Sequence, residues 1–192
     1  MKYTKIPANA FKEVQLNAGV LLSEFNPSSA AVAEDNIIGA TTGGVNFDAT
    51  PTFIDFGEDI DNCPKNTKEL KKLDSWEVKM TGTFVALNEQ LAKLLAGAAD
   101  SATGKITPRN DVLADDYKDM WWVGDYSDKN GDNNGGYVAI HLINALSTGG
   151  FKLQSTDKNK GQFAFEFTGH YSMANPNTVP YEVYLKAGTD ET

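Results

Sequence analysis

Residues 128–136 read DKNGDNNGG, and Asp128, Asn130 and Asp132 stand at the first three ligand positions of a calcium loop. The pattern then breaks, because Asn133 takes the place of the required glycine and Ala139 that of the bidentate glutamate. An Asn/Asp/Gly hairpin loop between two strands accounts for the same residues without a metal. The two histidines are His141, in a largely apolar run, and His170, on the polar side of its strand beside Thr168. No serine or cysteine is spaced to make a nucleophile–base pair with either one. A more charged stretch follows residue 54: Asp55, Glu58, Asp59 and Asp61 precede Lys65, Lys68, Lys71 and Lys72. Two of its carboxylates could serve as an acid/base pair, and a solvated loop explains them as well. Oppositely charged ends also suit self-association, the acidic residues of one copy meeting the lysines of the next. Trp121-Trp122 invites stacking on a sugar or a base, but adjacent strand residues face opposite ways, so at most one joins any surface. GATTGG at 39–44 lacks both the spacing of a dinucleotide-binding turn and the lysine of a phosphate loop. No catalytic, cofactor-binding or metal-binding residue is assigned, and the residues favour a structural or binding role over an enzyme.

The elements that would position these groups are mostly strands. Residues 13–23 alternate Val14, Leu16, Val20 and Leu22 around Asn17-Ala18-Gly19, and residues 24–36 form a polar loop. From Gly39 the alternation is strong, with Val45, Phe47, Ala49, Pro51 and Phe53 on one face and Asn46, Asp48, Thr50 and Thr52 on the other. Gly43-Gly44 permits a bulge, and Pro51 marks an edge or a second irregularity. Residues 57–73 are expected as a long charged loop, a length that is usually functional or ordered by a partner. Trp76, Val78, Met80, Gly82, Phe84 and Ala86 then alternate with Glu77, Lys79, Thr81, Thr83 and Val85. Asn88 can cap a helix over 88–99, with Leu91, Leu94, Leu95 and Ala98 on one face. Further β-type runs fall at 120–126, 136–146, 150–155, 161–172 and 179–185. Phe163, Phe165, Phe167 and Tyr171 there lie opposite Gln162, Glu166, Thr168 and His170. The pattern gives about seven strands, one helix and no linker, so residues 1–192 are expected to form a single mainly β domain.

Composition limits the partners. Of 192 residues 41% are apolar and 22% charged, which is a globular composition. The formal net charge of −9 opposes a DNA-gripping surface, since phosphate neutralisation needs Lys and Arg. A single cysteine, Cys63, allows no internal disulfide. The first residues lack the apolar core of a signal peptide, and no apolar run reaches the ~20 residues of a membrane-spanning helix, so no membrane partner is expected.

The glycine-rich strand, the long charged loop, and LKKLDSWEVKMTGTFVALN leading into an amphipathic helix together resemble the major tail, or tail tube, protein of long-tailed bacteriophages. The likeness spans roughly residues 39–100, and its most specific piece is residues 71–88. The Asn-rich loop at 128–136 and a C-terminal extension over 173–192 depart from it. The resemblance implies a β-sandwich or barrel of two packed sheets with one flanking α-helix. Six copies would form a ring with a continuous inner β-barrel, and rings would stack into a hollow virion tail tube through which phage DNA passes without specific binding. It further implies assembly in the host cytoplasm with tape-measure and tail terminator or initiator proteins, and no cofactor. Asn46, Asp48, Thr50, Thr52, Glu77, Lys79, Thr81 and Thr83 would then face the lumen. Six copies would carry a formal charge of −54, six times the −9 of one chain. Asp55, Glu58, Asp59, Asp61, Lys65, Lys68, Lys71 and Lys72, on the 57–73 loop and its flanks, become the candidates for subunit or ring contact. Three alternatives stand beside this reading. They are the inner tube of a contractile tail, bacteriocin or secretion system; a β-sandwich carbohydrate-binding module using Trp121 or Trp122; and a hydrolase built on the carboxylates at 55–61.

Overall fold

A computed structural model of the protein describes residues 3, 5–129, 131 and 134–190. Asn130, Asp132 and Asn133 of the calcium-like loop lie outside the described residues. Alternating apolar side chains set up nine strands around one α-helix among the described residues: β1 (Gln15–Leu22), β2 (Thr41–Asp55), β3 (Lys71–Phe84), α1 (Glu89–Ala96), β4 (Ala99–Ala102), β5 (Lys105–Pro108), β6 (Lys118–Tyr126), β7 (Gly136–Ser147), β8 (Phe163–Thr168) and β9 (Tyr181–Lys186). The chain is mainly β, as its alternation implies.

Seven of the strands make one curled antiparallel sheet in the order β1-β6-β7-β8-β3-β2, with β9 added to β7. Strand β7 holds its two halves together. Its residues 136–142 lie between β6 and β9, whereas Leu146 and Ser147 pair with Thr168 and Phe167 of β8. The halves curl over a shared core of Leu21, Val78, Met80, Phe84, Met120, Leu142, Ala145, Phe165 and Phe167, which α1 closes with Leu91 and Leu95. A smaller cluster on the outer side of β6 and β7 gathers Leu22, Phe25, Trp121, Val123 and Ala139.

Asn88 caps α1 as expected: its Oδ1 accepts from the Leu91 N–H at 2.7 Å, satisfying one of the open donors of the first turn. The helix is shorter than the expected 88–99. Gly97, at φ +76°, ends it, and Ala99 already belongs to β4. The β4–β5 hairpin was not expected. Its strands are four residues each and lack clean alternation, and Thr103 and Gly104 turn it with φ of +53° and +77°. The run 150–155 forms no regular strand and makes one isolated pairing, Gln154 with Gln162. Strand β8 stops at Thr168, so Tyr171 lies beyond it, and its hydroxyl accepts from the Trp76 N–H at 2.9 Å. Residues 173–192, read as an extension, carry β9 as a full sheet member: Tyr181 packs on the main core, with its ring 5.4 Å from that of Phe47.

Phe167 is fully buried between the two halves of the sheet. Phe167→Ala is expected to cost about 3–5 kcal/mol in urea unfolding, by lost burial plus the cavity left behind.

Candidate functional site

The side chains of β2 and β3 sort by a period of two. Asn46, Asp48, Thr50 and Thr52 stand opposite Thr81, Lys79, Glu77 and Ser75, and in each pair both side chains share one face. Strand β8 extends that face, with Thr168 beside Lys79, Glu166 beside Thr81 and Ala164 beside Thr83. All eight residues expected on the polar face, Asn46, Asp48, Thr50, Thr52, Glu77, Lys79, Thr81 and Thr83, are thus brought together. The other face holds Val45, Phe47, Ala49, Trp76, Val78, Met80 and Phe84, packed into or against the core.

Across β2, β3 and β8 the polar face is acidic around Lys79. Lys79 Nζ lies 2.5 Å from Glu77 Oε1. That hydrogen bond, then the attraction of Glu77 itself, Glu166 and Asp48, raises the ammonium pKa above its ordinary value, so the group stays charged. Thr50 donates to Asp48 Oδ1 at 3.1 Å. Thr148 donates to Glu166 Oε1 at 3.1 Å and sits 2.7 Å from the Thr168 hydroxyl. Glu166, Thr168 and Thr148 therefore belong to the face but were not assigned to it. The polar side of β8 is readable from alternation; its pairing with β3, more than eighty residues away, is not.

Two bulges shape β2 and β3. Pairing jumps between Thr41 and Val45, where Gly43 and Gly44 take φ of +76° and +82° with nothing near their absent side chains. It shifts again between Thr52 and Phe53, where Asp74 is the extra residue on β3. Phe53, expected on the apolar face, lies beyond this second bulge and is exposed. Strand β8 reaches only to Lys79, so the hairpin runs past the sheet as a two-stranded arm. Phe53, Ile54, Phe56, Ile60 and Leu73, each 42–59% exposed, make the arm apolar at its end. Lys71 Nζ lies 5.2 Å over the Phe53 ring.

The charged residues of the expected 57–73 loop divide between the arm and its tip. Lys71 and Lys72 belong to β3, opposite Asp55 and Ile54. Glu58, Asp59, Asp61, Lys65 and Lys68 are exposed on the tip. Asp55 is occupied differently: its Oδ1 accepts from the Gly57 N–H at 2.9 Å and its Oδ2 from the Asn66 N–H at 2.8 Å, pinning both ends of the tip loop. These two bonds, the Gly57 one first, hold its carboxyl below the ordinary carboxylate value, with help from Lys71 and Lys65.

The other chemical candidates are engaged locally. The His141 ring stacks on Trp121 at 4.0 Å, with Nε2 3.2 Å from Asp119 Oδ2 and Nδ1 3.5 Å from Glu182 Oε2. It borders an open groove of about 950 Å³ that Ser23, Phe25, Asn88 and Leu91 also line. The Ser23 hydroxyl there donates to the Asn36 carbonyl at 3.3 Å. Trp121 is 8% exposed within the smaller cluster, and Trp122 faces the other way, donating to the Ala18 carbonyl at 3.0 Å. His170 Nδ1 lies 3.2 Å from the Asn144 carbonyl. Among the described residues no group of three or more His, Cys, Asp or Glu is arranged to hold a metal, and no helix is long and apolar enough to cross a membrane.

The Asp55 carboxylate gives the arm a pH signature with a definite sign. Its lowered pKa means that the ordering of the tip is complete above the ordinary carboxylate value of 3.8 and is lost as pH falls through the depressed native one. NMR titration is expected to show the Gly57 and Asn66 amide protons moving together with a midpoint below that value. Asp55→Ala is expected to abolish the joint shift. No family model matches the chain, and no curated protein matches it.

Proposed function

We propose that this chain is the repeating subunit of a phage tail tube, a structural virion protein that assembles with itself into stacked hexameric rings around a DNA-conducting lumen. The observation that carries the reading is β2, a fifteen-residue strand at the margin of the sheet, bonded to β3 on one side only. Such an edge invites pairing with another chain, and closure into a barrel is the arrangement that removes it. The three strands β2, β3 and β8 alone give at least eighteen in a ring of six, a size at which a barrel keeps an open aqueous channel.

The two faces of these strands suit that arrangement. The core side is packed under α1 and β6, so the exposed side, with Asp48, Glu77 and Glu166 around Lys79, becomes the inner wall. A wall of net negative charge repels phosphate, over a screening length of about 8 Å at physiological salt. DNA would then pass without being held. The apolar arm serves for contact with another subunit or ring. Tape-measure, terminator and initiator proteins are the further partners this role requires. Contractile and non-contractile tubes would share this geometry, so the proposal covers both.

Negative-stain electron microscopy over a concentration series is expected to show hollow tubes or six-fold rings. A chain that stays a monomer in sedimentation up to its solubility limit, both alone and when seeded with an initiator complex, overturns the reading. In assembled, end-capped tubes made in a Cys63→Ser background, Thr50→Cys and Thr81→Cys are expected to lose reactivity towards a bulky thiol reagent several-fold relative to the monomer. Undiminished labelling would place this face outside the tube.

A further inference from the structure

The sheet does not end where β7 ends. After Ser147 pairs with Phe167, the N–H groups of Thr148 and Gly149 both donate to the Glu166 carbonyl, at 3.0 and 3.2 Å. Gly150, at φ +70°, absorbs the irregularity. Antiparallel pairing then resumes with a full two-bond exchange, Gln154 N–H to the Gln162 carbonyl at 2.8 Å and Gln162 N–H to the Gln154 carbonyl at 2.9 Å. Residues 151–155 therefore run alongside the start of β8 as an incomplete further strand. Because both backbone groups of Gln154 point towards β8, alternation turns those of Leu153 and Ser155 outward. Neither residue makes a backbone hydrogen bond among the described residues. The half of the sheet made by β8, β3 and β2 thus has open ladder groups at both of its margins, on β2 and on 151–155.

The two margins match in direction, in face and in charge. Strands β2 and β8 are each antiparallel to β3, and 151–155 is antiparallel to β8, so it is also antiparallel to β2. Rotation about a ring axis preserves that relation between neighbouring copies, and antiparallel pairing is the more stable kind. Phe151, whose ring lies 6.0 Å from that of Phe163, belongs with Leu153 on the core side. Both are about half exposed, at 47% and 58%. The half-buried row Val45, Phe47 and Ala49 of β2 lies on that same side. Alternation places Lys152 and Gln154 on the polar side, the side of Asn46, Asp48 and Thr50. We propose that β2 of one copy pairs antiparallel with residues 151–155 of the next, with apolar rows meeting on the core side and Lys152 meeting Asp48 on the polar side. The inference rests on the ring reading and deepens it by naming the seam between copies.

Cysteine pairs test the seam in a Cys63→Ser background. Lys152→Cys is combined in turn with Asn46→Cys, Asp48→Cys, Thr50→Cys or, as an opposite-face control, Phe47→Cys. Thermal unfolding first confirms that each variant matches its parent. After mild oxidation of the assembled protein, at least one of the three polar-face pairs is expected to give a multimer ladder ending in a closed-ring band. The singles and the Phe47→Cys combination are expected to stay monomeric. Amide exchange at Leu153 and Ser155 is expected to slow on assembly. Tubes in the microscope with no cross-link in any pair would overturn the seam and leave the ring reading standing. Dimers from Asp48→Cys alone would also overturn the seam, because β2 would then pair with another β2. A ladder that lengthens without a closed band would support the seam but overturn the ring, since a head-to-tail contact that does not close makes a filament. Absence of both tubes and ladder overturns both.

Discussion

One backbone, β7, has to serve two halves of a sheet, and the rest of the molecule depends on how it crosses between them. The crossing is at Asn144, which takes φ +48°, a conformation that asparagine tolerates better than most side chains. Pairing with β6 breaks just there, between Leu142 opposite Met120 and Ala145 opposite Lys118. The freed groups are recaptured. The Asn144 N–H donates to Asp119 Oδ1 at 2.9 Å, its side-chain amide donates to the His170 carbonyl at 3.1 Å, and the Ile143 N–H donates to the Pro180 carbonyl at 2.9 Å. His170, a candidate for chemistry by its residue type, is part of this clamp. Once β7 has turned, Leu146 and Ser147 can reach β8, and β8 brings β3 and β2 over the core. The polar face exists as one surface because of that turn.

This dependence explains which parts of the fold were legible. Strands β2 and β3 were, because one side is packed and the other is not, so Val78, Met80 and Phe84 had to alternate with Lys79, Thr81 and Thr83. The eight residues of the polar face follow from that rule alone. Its third row, Glu166 and Thr168, required knowing that β8 lies beside β3, and no local pattern specifies a pairing across so long a stretch of chain. The exposure of the arm was not legible, because alternation gives Phe53 a face but does not show that β8 stops at Lys79 and leaves Phe53 and its partner Leu73 beyond the core. Segment 150–155 was readable as β by composition, but Gly149-Gly150 interrupts the ladder that would make it regular. In β4 and β5, ADSA and KITP are too short and too irregular for any period to show.

The charges fall into two settings with different consequences. On the polar face three carboxylates surround one ammonium, so local attraction is satisfied while the surface stays acidic. Pairs so exposed contribute little to stability. Their effect is a field, and a field matters to whatever passes close by more than to the fold beneath it. On the arm, Asp55 accepts two backbone N–H groups and gives the loop its shape, while the lysines and remaining carboxylates stay in water. Formal charge in the sequence does not separate these roles. The positions of N–H donors do.

The arm also carries Phe53, Phe56 and Ile60 in the open. Exposed apolar residues grouped at the end of a projecting hairpin are a liability for an isolated molecule and an asset for one that is to be covered. In the proposed assembly, ordering the tip beforehand would reduce the conformational entropy lost on docking, so the area buried there would yield more association than a floppy loop would give. Asp55 supplies that order from within the arm itself, independently of any partner. The open margins at β2 and 151–155 have the same character: their polar groups are aligned by the sheet before anything pairs with them. In the proposed assembly, contact surfaces organised in advance on a fold that is complete without them would let copies associate cooperatively once their neighbours are in place.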